Sequence, residues 1–199
     1  MTPLIITVFS DFTCPYSYVM DAALRRSVAG DEVRIDHHPF ELFPSPVPLP
    51  APGASDGWED ATRALAHDLG LEIEQPKFRP RTRKAHEAAF FAEATGVGEQ
   101  MRAAIFEAYW KNERDIGRVD VLMSLIAELG VNPEDLKIAL DIDTYSDQVS
   151  AGRMLAERLN IASTPTIFIG KGPDAVIIVG ARTAEDLEQT IHEKRKSHG

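Results

Sequence analysis

Cysteine is nearly absent from this sequence, with one residue, Cys14, among 199. A single cysteine excludes an intrachain disulfide and a zinc site built from several thiolates. No apolar run approaches the roughly 20 residues that a membrane-spanning helix needs. The first residues also lack the basic start and long apolar stretch of a signal peptide. We therefore expect a cytoplasmic protein with no membrane partner.

Basic residues are outnumbered, with 21 Lys and Arg against 31 Asp and Glu and a formal net charge of −10. This excess of negative charge repels phosphate backbones, so nucleic acid is not an expected partner. Motifs for metal binding and Gly-rich phosphate loops are missing as well, and we expect no metal site. The remaining composition, 44% hydrophobic and 26% charged, is typical of a globular chain with one core or a core plus a subdomain.

The hydrophobic pattern changes period twice along the chain. Strands are predicted at 4–9 and 33–40, around a helix that begins at Cys14 and ends at Gly30, and a proline-rich loop follows at 39–53. Helical periodicity then dominates from 58 to 159, with helices predicted at 58–69, 82–94, 99–112, 119–129 and 144–159 and one more that has Asn132 as its N-cap. Strands at 166–169 and 175–179 and a last helix, which begins at Thr183 with a sequence close to a capping box, complete the chain. We predict an α/β fold in which a discontinuous domain, 1–53 and 160–199, carries an all-helical insertion subdomain, 54–159.

Cys14 is the main candidate for chemistry, because Cys14-Pro15-Tyr16-Ser17 follows a buried strand and opens a helix. Unpaired N–H groups and the helix dipole stabilise an anion at a helix start. Such positions bring the pKa of a cysteine from about 8.5 to roughly 3.5–7.5, which makes it nucleophilic at neutral pH. Ser17, one turn on, offers a hydroxyl to the sulfur. The alternative is that Cys14 is a small buried residue that replaces an N-cap.

A second motif, Ser163-Thr164-Pro165-Thr166, stands directly before a predicted strand. A cis bond at Thr164–Pro165 would direct the backbone of Thr164 outward, where an extended peptide or glutathione can pair with it. The alternative is a trans proline that ends the preceding loop.

Four segments together give a resemblance that covers nearly the whole chain. The chain resembles the DsbA-like branch of the thioredoxin superfamily, and within it FrnE-type oxidoreductases, kappa-class glutathione transferases and 2-hydroxychromene-2-carboxylate isomerases. The resemblance implies a thioredoxin-like fold and a cis Pro165 that faces Cys14. The segments are SDFTCPYSY, RTRKAHEAAFFAEATG, FEAYWKNERDIGRVDVLMSLIAELG and IASTPTIFIG.

The departures from this family matter for mechanism. FrnE-type oxidoreductases usually carry a second cysteine where this chain has Ser17, so a mixed disulfide on Cys14 needs an external thiol such as glutathione. The glutathione-dependent relatives have serine at position 14, and their Ser-Asp pair for glutathione corresponds to Ala181 and Arg182 here. Arg182 is therefore a candidate for holding a carboxylate in a different way.

Two further residues match family positions. His86 matches a position that lines the cleft, although a structural histidine explains it equally well. Asp11 matches an acidic position that can tune the thiol, but we favour a hydrogen bond that closes the turn between strand and helix.

We predict a monothiol thiol–disulfide oxidoreductase with Cys14, Ser17 and Pro165 as catalytic residues and glutathione as co-substrate rather than bound cofactor. Substrate binding is assigned to Pro15, Tyr16, Thr164, Arg182 and His86. One alternative is a glutathione-dependent isomerase or transferase acting on a small aromatic or electrophilic compound. Another is a peptide-binding module or holdase without turnover. The glutathione-using relatives also suggest a homodimer.

Overall fold

The computed structural model describes residues 3–28, 33–51, 59–74 and 76–196. Its sheet has the strand order β2-β1-β3-β4. The first two strands are parallel, whereas β3 runs antiparallel to both of its neighbours. The strands are β1 (Leu4–Ser10), β2 (Val33–Pro39), β3 (Thr166–Ile169) and β4 (Val176–Val179).

Helices connect and cover these strands, and the predicted helical block lies between β2 and β3. Each predicted element in the described ranges is present, with ends that lie within three residues of the predicted ones. The helices are α1 (Pro15–Ser27), α2 (Glu59–Asp68), α3 (Arg83–Ala94), α4 (Gly98–Trp110), α5 (Val119–Glu128), α6 (Pro133–Asp141), α7 (Ser146–Arg158) and α8 (Ala184–Lys196).

Local signals in the sequence set several helix starts. The Asn132 side chain accepts a hydrogen bond from the Glu134 amide at 3.2 Å and caps α6, which has proline at its first position. The Thr183 hydroxyl caps α8 in the same way, accepting from the Asp186 amide at 3.1 Å. Both caps confirm predictions from the sequence.

Helix α1 lies between two hydrophobic clusters. One of its faces, with Met20 and Leu24, packs against the sheet and α8. Its other face, with Tyr18 and Val19, packs into the helical block, where Trp110 is also buried. The start of α1 is therefore held from both sides, which fixes the position of Cys14.

The proline-rich segment forms no regular helix or strand over residues 40–51, as predicted. The predicted helix stop at Gly30, the start of the second helix at Trp58 and residues 52–53 lie outside the described residues. The division into two domains stays a prediction. No helix within the described part of the chain is long and apolar enough to cross a membrane.

Candidate active site

Cys14 is the N-cap residue of α1, with Pro15 at the first helical position. Its carbonyl oxygen accepts hydrogen bonds from the amides of Ser17 and Tyr18, at 3.1 and 3.2 Å, and its own amide donates to the Asp11 carbonyl at 3.1 Å. The turn after β1 and the first turn of α1 thus form one hydrogen-bonded unit. This unit places the cysteine side chain at the mouth of the helix, as the sequence predicts.

The Thr164–Pro165 peptide bond is cis, and it lies against Cys14. The thiol of Cys14 donates a hydrogen bond to the Thr164 carbonyl oxygen, with 3.3 Å between sulfur and oxygen. Sheet pairing explains this contact between residues 150 positions apart, because Phe9 near the end of β1 pairs with Thr166 at the start of β3. The two motifs singled out in the sequence therefore meet.

The pKa of the Cys14 thiol is not lowered, contrary to the expectation from its helix position. Burial raises it above the ordinary thiol value, since only 5% of the residue is exposed. The hydroxyl and amide of Ser17 and the side-chain hydroxyl of Thr164 act in the opposite direction, but burial outweighs them. We call the arrangement in which the buried, protonated sulfur donates to the Thr164 carbonyl the closed state. The expectation of a lowered pKa is wrong for this closed state.

Ser17 lies beside the sulfur and is itself 1% exposed. Its hydroxyl makes no full hydrogen bond among the described residues, yet it is close enough to lower the pKa of Cys14. A buried hydroxyl without a partner is unfavourable. A sulfur anion at position 14 would give this hydroxyl an acceptor, so the side chain is ready for a charge that the closed state does not carry.

Asp11 lies below the site, fully buried, and accepts four hydrogen bonds. Its Oδ1 accepts from the amide and hydroxyl of Thr13, both at 2.7 Å, which closes the strand–helix turn. Its Oδ2 accepts from the Leu42 amide and the Thr82 hydroxyl, both at 2.9 Å. Asp11 thus closes the turn, as favoured from the sequence, and also ties the proline-rich loop and α3 to it.

The same carboxylate affects the thiol, because burial raises the pKa of Cys14 and the negative charge of Asp11 adds a smaller contribution in the same direction. Burial opposes ionisation of Asp11, but the nearby His86 and the bonds from Thr13 outweigh it and lower the pKa of Asp11. Asp11 is therefore an anion at neutral pH. This charge works against ionisation of the cysteine.

His86 is 2% exposed and lies against the Phe12 ring, with 4.8 Å between ring centroids. Its Nε2 is 3.9 Å from Asp11 Oδ2, and neither ring nitrogen has a hydrogen-bond partner among the described residues. The histidine thus supports the buried carboxylate rather than facing an open cleft in this state. Its assignment to substrate binding stays a prediction.

The other predicted binding residues surround the site unevenly. Pro15 is buried, while Tyr16 is partly exposed and packs on the helical block. Arg182 is exposed and donates to the carbonyl of Ala181 at 2.8 Å. Its turn lies next to the cis proline, because the Gly180 amide donates to the Pro165 carbonyl at 2.9 Å.

Two supporting residues were missed in the sequence. Thr82 was expected only to begin a helix; it precedes α3, but its hydroxyl bonds to Asp11 instead of capping that helix. Trp110 donates from its indole to the Phe12 carbonyl at 2.9 Å and so holds the segment before Cys14. Both partners are distant in sequence, and no local pattern reveals them.

Fold and site together define a thioredoxin-fold protein with one cysteine opposite a cis proline. A family model for the DSBA-like thioredoxin domain matches residues 5–192, and the chain belongs to this family of thiol–disulfide oxidoreductases. The resemblance seen in the sequence and the predicted thioredoxin-like fold with a helical insertion are both confirmed.

One relative in sequence supports the same family, and solved structures share the fold. The uncharacterized protein YwbO of Bacillus subtilis is 32% identical over 198 residues, which covers 96% of this chain and 97% of that protein. A probable DsbA oxidoreductase from Streptomyces coelicolor has a similar structure, with a TM-score of 0.82 and 23% identity over 97% of this chain and 90% of that one. The structure of the cytosolic disulfide reductase DsbM of Pseudomonas aeruginosa is also similar, with a TM-score of 0.72 and 20% identity over 97% of this chain and 96% of that one.

Proposed function

We propose that this chain is a monothiol thiol–disulfide oxidoreductase, in which Cys14 forms mixed disulfides that an external thiol resolves. The observation that carries the proposal is the contact of the Cys14 sulfur with the Thr164 carbonyl beside a cis proline, at the N-terminus of a helix. A thiol at such a position attacks disulfides once it is ionised.

The reaction consists of two exchanges. Ionised Cys14 attacks one sulfur of a substrate disulfide and forms a new S–S bond, and the second substrate sulfur leaves as a thiolate that takes up a proton. An external thiolate then attacks the sulfur of the substrate within the mixed disulfide. This step joins the external thiol to the substrate and returns Cys14 as a thiol.

Substrate docking provides the ionisation that the closed state opposes. An extended substrate that pairs with the backbone of Thr164 competes for the carbonyl to which the Cys14 thiol donates. Once that hydrogen bond is broken, the sulfur keeps the hydroxyl of Ser17 and the amides at the start of α1 as stabilising partners. The Ser17 hydroxyl therefore stabilises the ionised sulfur, whereas the Thr164 carbonyl stabilises the protonated one.

Glutathione is the external thiol that we propose. Cys14 is the only cysteine in the chain, so no internal thiol can release the substrate. The DsbM neighbour has been solved with GSH, which shows that a protein of this fold binds it. A cytoplasmic setting, where reduced glutathione is abundant, suits this chemistry.

The direct test is the intact mass of the protein after incubation with oxidised glutathione and then with reduced glutathione. We expect a single glutathione adduct that the second incubation removes, and no adduct on Cys14→Ser. Ser17→Cys is the informative variant, because it places a second thiol one turn along α1. We expect its adduct to convert into an internal disulfide. A wild-type protein that forms no adduct contradicts the proposal and favours a binding module without turnover.

The raised pKa of Cys14 favours a second candidate, a glutathione-dependent isomerase or transferase for a small electrophilic compound. A protonated thiol at position 14 can donate a hydrogen bond to the sulfur of bound glutathione, as serine does in the relatives noted above. Under this candidate, saturable binding of reduced glutathione survives Cys14→Ser. Under the first proposal, this variant loses all exchange activity.

A further inference from the structure

A polar cavity, none of whose lining residues contacts Cys14, lies at the outer edge of the sheet. It has a volume of about 200 Å³ and is lined by residues of β2, the end of α3 and the first turns of α4. Its polar lining comprises His37, Glu93, Glu99, Gln100 and Arg102. None of these residues takes part in the proposed thiol chemistry.

Arg102 is the unusual member of this lining. Its side chain is 6% exposed, its Nη2 makes no hydrogen bond within the described part of the chain, and the Glu93 carboxylate lies 3.7 Å away. Arginine offers five donors in a planar fork that fits a carboxylate. A buried guanidinium nitrogen without a hydrogen bond is costly, and a ligand with an oxygen acceptor would satisfy it.

The start of α4 adds further donors to the same cavity. Gly98, Glu99 and Gln100 form its first turn, where backbone N–H groups have no partner within the helix, and the N-cap Val97 supplies no side-chain acceptor. The carboxylate of Glu99 contacts His37 Nε2 at 3.4 Å instead of capping the helix. The cavity therefore combines a helix N-terminus with a buried cation, and both attract an anionic group.

Charge decides which anion fits. Burial and the nearby Arg102 lower the pKa of His37, so its ring is neutral at pH 7. The lining then holds one cation, Arg102, and two carboxylates, Glu93 and Glu99. A dianion such as phosphate is repelled by this excess of negative charge. A ligand that carries an ammonium group beside its carboxylate avoids the repulsion.

We propose that this cavity binds the α-amino-carboxylate group of a small molecule such as a free amino acid. The carboxylate lies on Arg102 and the first amides of α4, and the ammonium group lies on Glu93. The volume is below the roughly 300–1,000 Å³ of sites for drug-sized ligands, which restricts the ligand to a small one.

A matched pair of probes tests this proposal by calorimetric or NMR titration. L-alanine and propionate share a carbon skeleton and differ by the ammonium group. We expect saturable binding of L-alanine at millimolar concentration, and binding of propionate and inorganic phosphate that is weaker by about tenfold or more. Titration of Cys14→Ala protein should give the same result, because the cavity is separate from the thiol.

Variants separate a ligand site from a structural ion pair. Arg102→Met should abolish binding, and Glu93→Gln, at an exposed side chain, should make the affinities for L-alanine and propionate equal. Glu128→Gln, exposed on α5, is the control and should change neither affinity. The proposal is overturned if L-alanine does not bind, if propionate or phosphate binds equally well to the wild type, or if Glu93→Gln leaves the preference intact.

Discussion

Asp11→Asn is the substitution with the most informative expected outcome, because it changes stability and reactivity in opposite directions. The carboxylate is fully buried and accepts four hydrogen bonds, from Thr13 twice, Leu42 and Thr82. Asparagine has the same shape but one acceptor oxygen and one amide group that only donates. Its single oxygen can therefore accept only two of these four hydrogen bonds.

The size of the stability loss follows from these contacts. With its oxygen turned to Thr13, the new side chain presents an NH₂ group to the Leu42 amide, which leaves a buried donor facing a donor. The Thr82 hydroxyl can rotate and accept instead. Loss of one hydrogen bond to a charged group, with the partly buried Leu42 amide left unsatisfied, costs about 2–3 kcal/mol. For a chain of this size that loss lowers Tm by roughly 5–10 °C.

The reactivity of Cys14, in contrast, should increase in Asp11→Asn. The charge of Asp11 raises the pKa of Cys14, so its removal lowers that pKa and increases the thiolate fraction at pH 7. We expect faster alkylation of Cys14 by iodoacetamide in the variant, measured by intact mass over time under native conditions.

The pH dependence of stability has a definite sign. The pKa of Asp11 is below its ordinary value of 3.8 in the folded protein, so its stabilising contribution is present above that value and is lost as pH falls. Asp11→Asn lacks this contribution at every pH. The difference in Tm between wild type and variant should therefore shrink below about pH 4.

Asp115→Asn provides the matched control. Asp115 Oδ1 accepts from the Gly117 amide at 2.9 Å in another, half-buried turn. We expect a small change in Tm and no change in alkylation rate. The reasoning is refuted if Asp11→Asn leaves stability unchanged, or if it slows alkylation.

Three other measurements probe the site and its supports. In the wild type, the alkylation rate of Cys14 plotted against pH should have its midpoint above that of a free thiol, because burial raises the pKa of Cys14. A midpoint below that of a free thiol would contradict this effect of burial. Gly152→Ala should lower the free energy of unfolding, measured by urea denaturation, by about 1–3 kcal/mol, because the new Cβ would lie 2.7 Å from the Pro39 carbonyl oxygen. An unchanged urea midpoint would show that α7 can shift away from β2 without loss of stability. Arg83→Met should lower the free energy of unfolding by about 1–2 kcal/mol, because it leaves the buried carboxylate of Glu41 without its partner at 2.8 Å; this value allows for the partial exposure of the arginine. Equal stability of variant and wild type would mean that this ion pair is dispensable.

The elements of the fold were largely predictable from local patterns. Strand β1 is a run of β-branched and apolar residues, and Pro15 marks the first turn of α1 because its missing N–H costs nothing there. The caps at Asn132 and Thr183 are interactions over two or three residues. Such signals depend only on neighbouring residues, so they can be predicted without knowledge of the tertiary structure.

The basic run at residues 77–84 shows that local sequence does not predict ion-pair partners. By itself, such a run of charge predicts a solvated face, with contact to an anionic substrate as the alternative. In the structure Arg83 instead pairs with Glu41, and Lys84 pairs with Asp143 at 2.6 Å, so both tie distant segments together. Sequence gives the charge of these residues but not their partners.

By itself the sequence determined the family, the order of elements and the position of Cys14 at a helix start, since each depends on residues close together in the chain. Tertiary structure decided the protonation of that cysteine, because the desolvation that raises its pKa comes from packing and not from the motif. It also brought Thr164 to the sulfur and Arg102 to the cavity beside β2. Electrostatic energies depend on distance and burial in three dimensions, and local sequence reports neither.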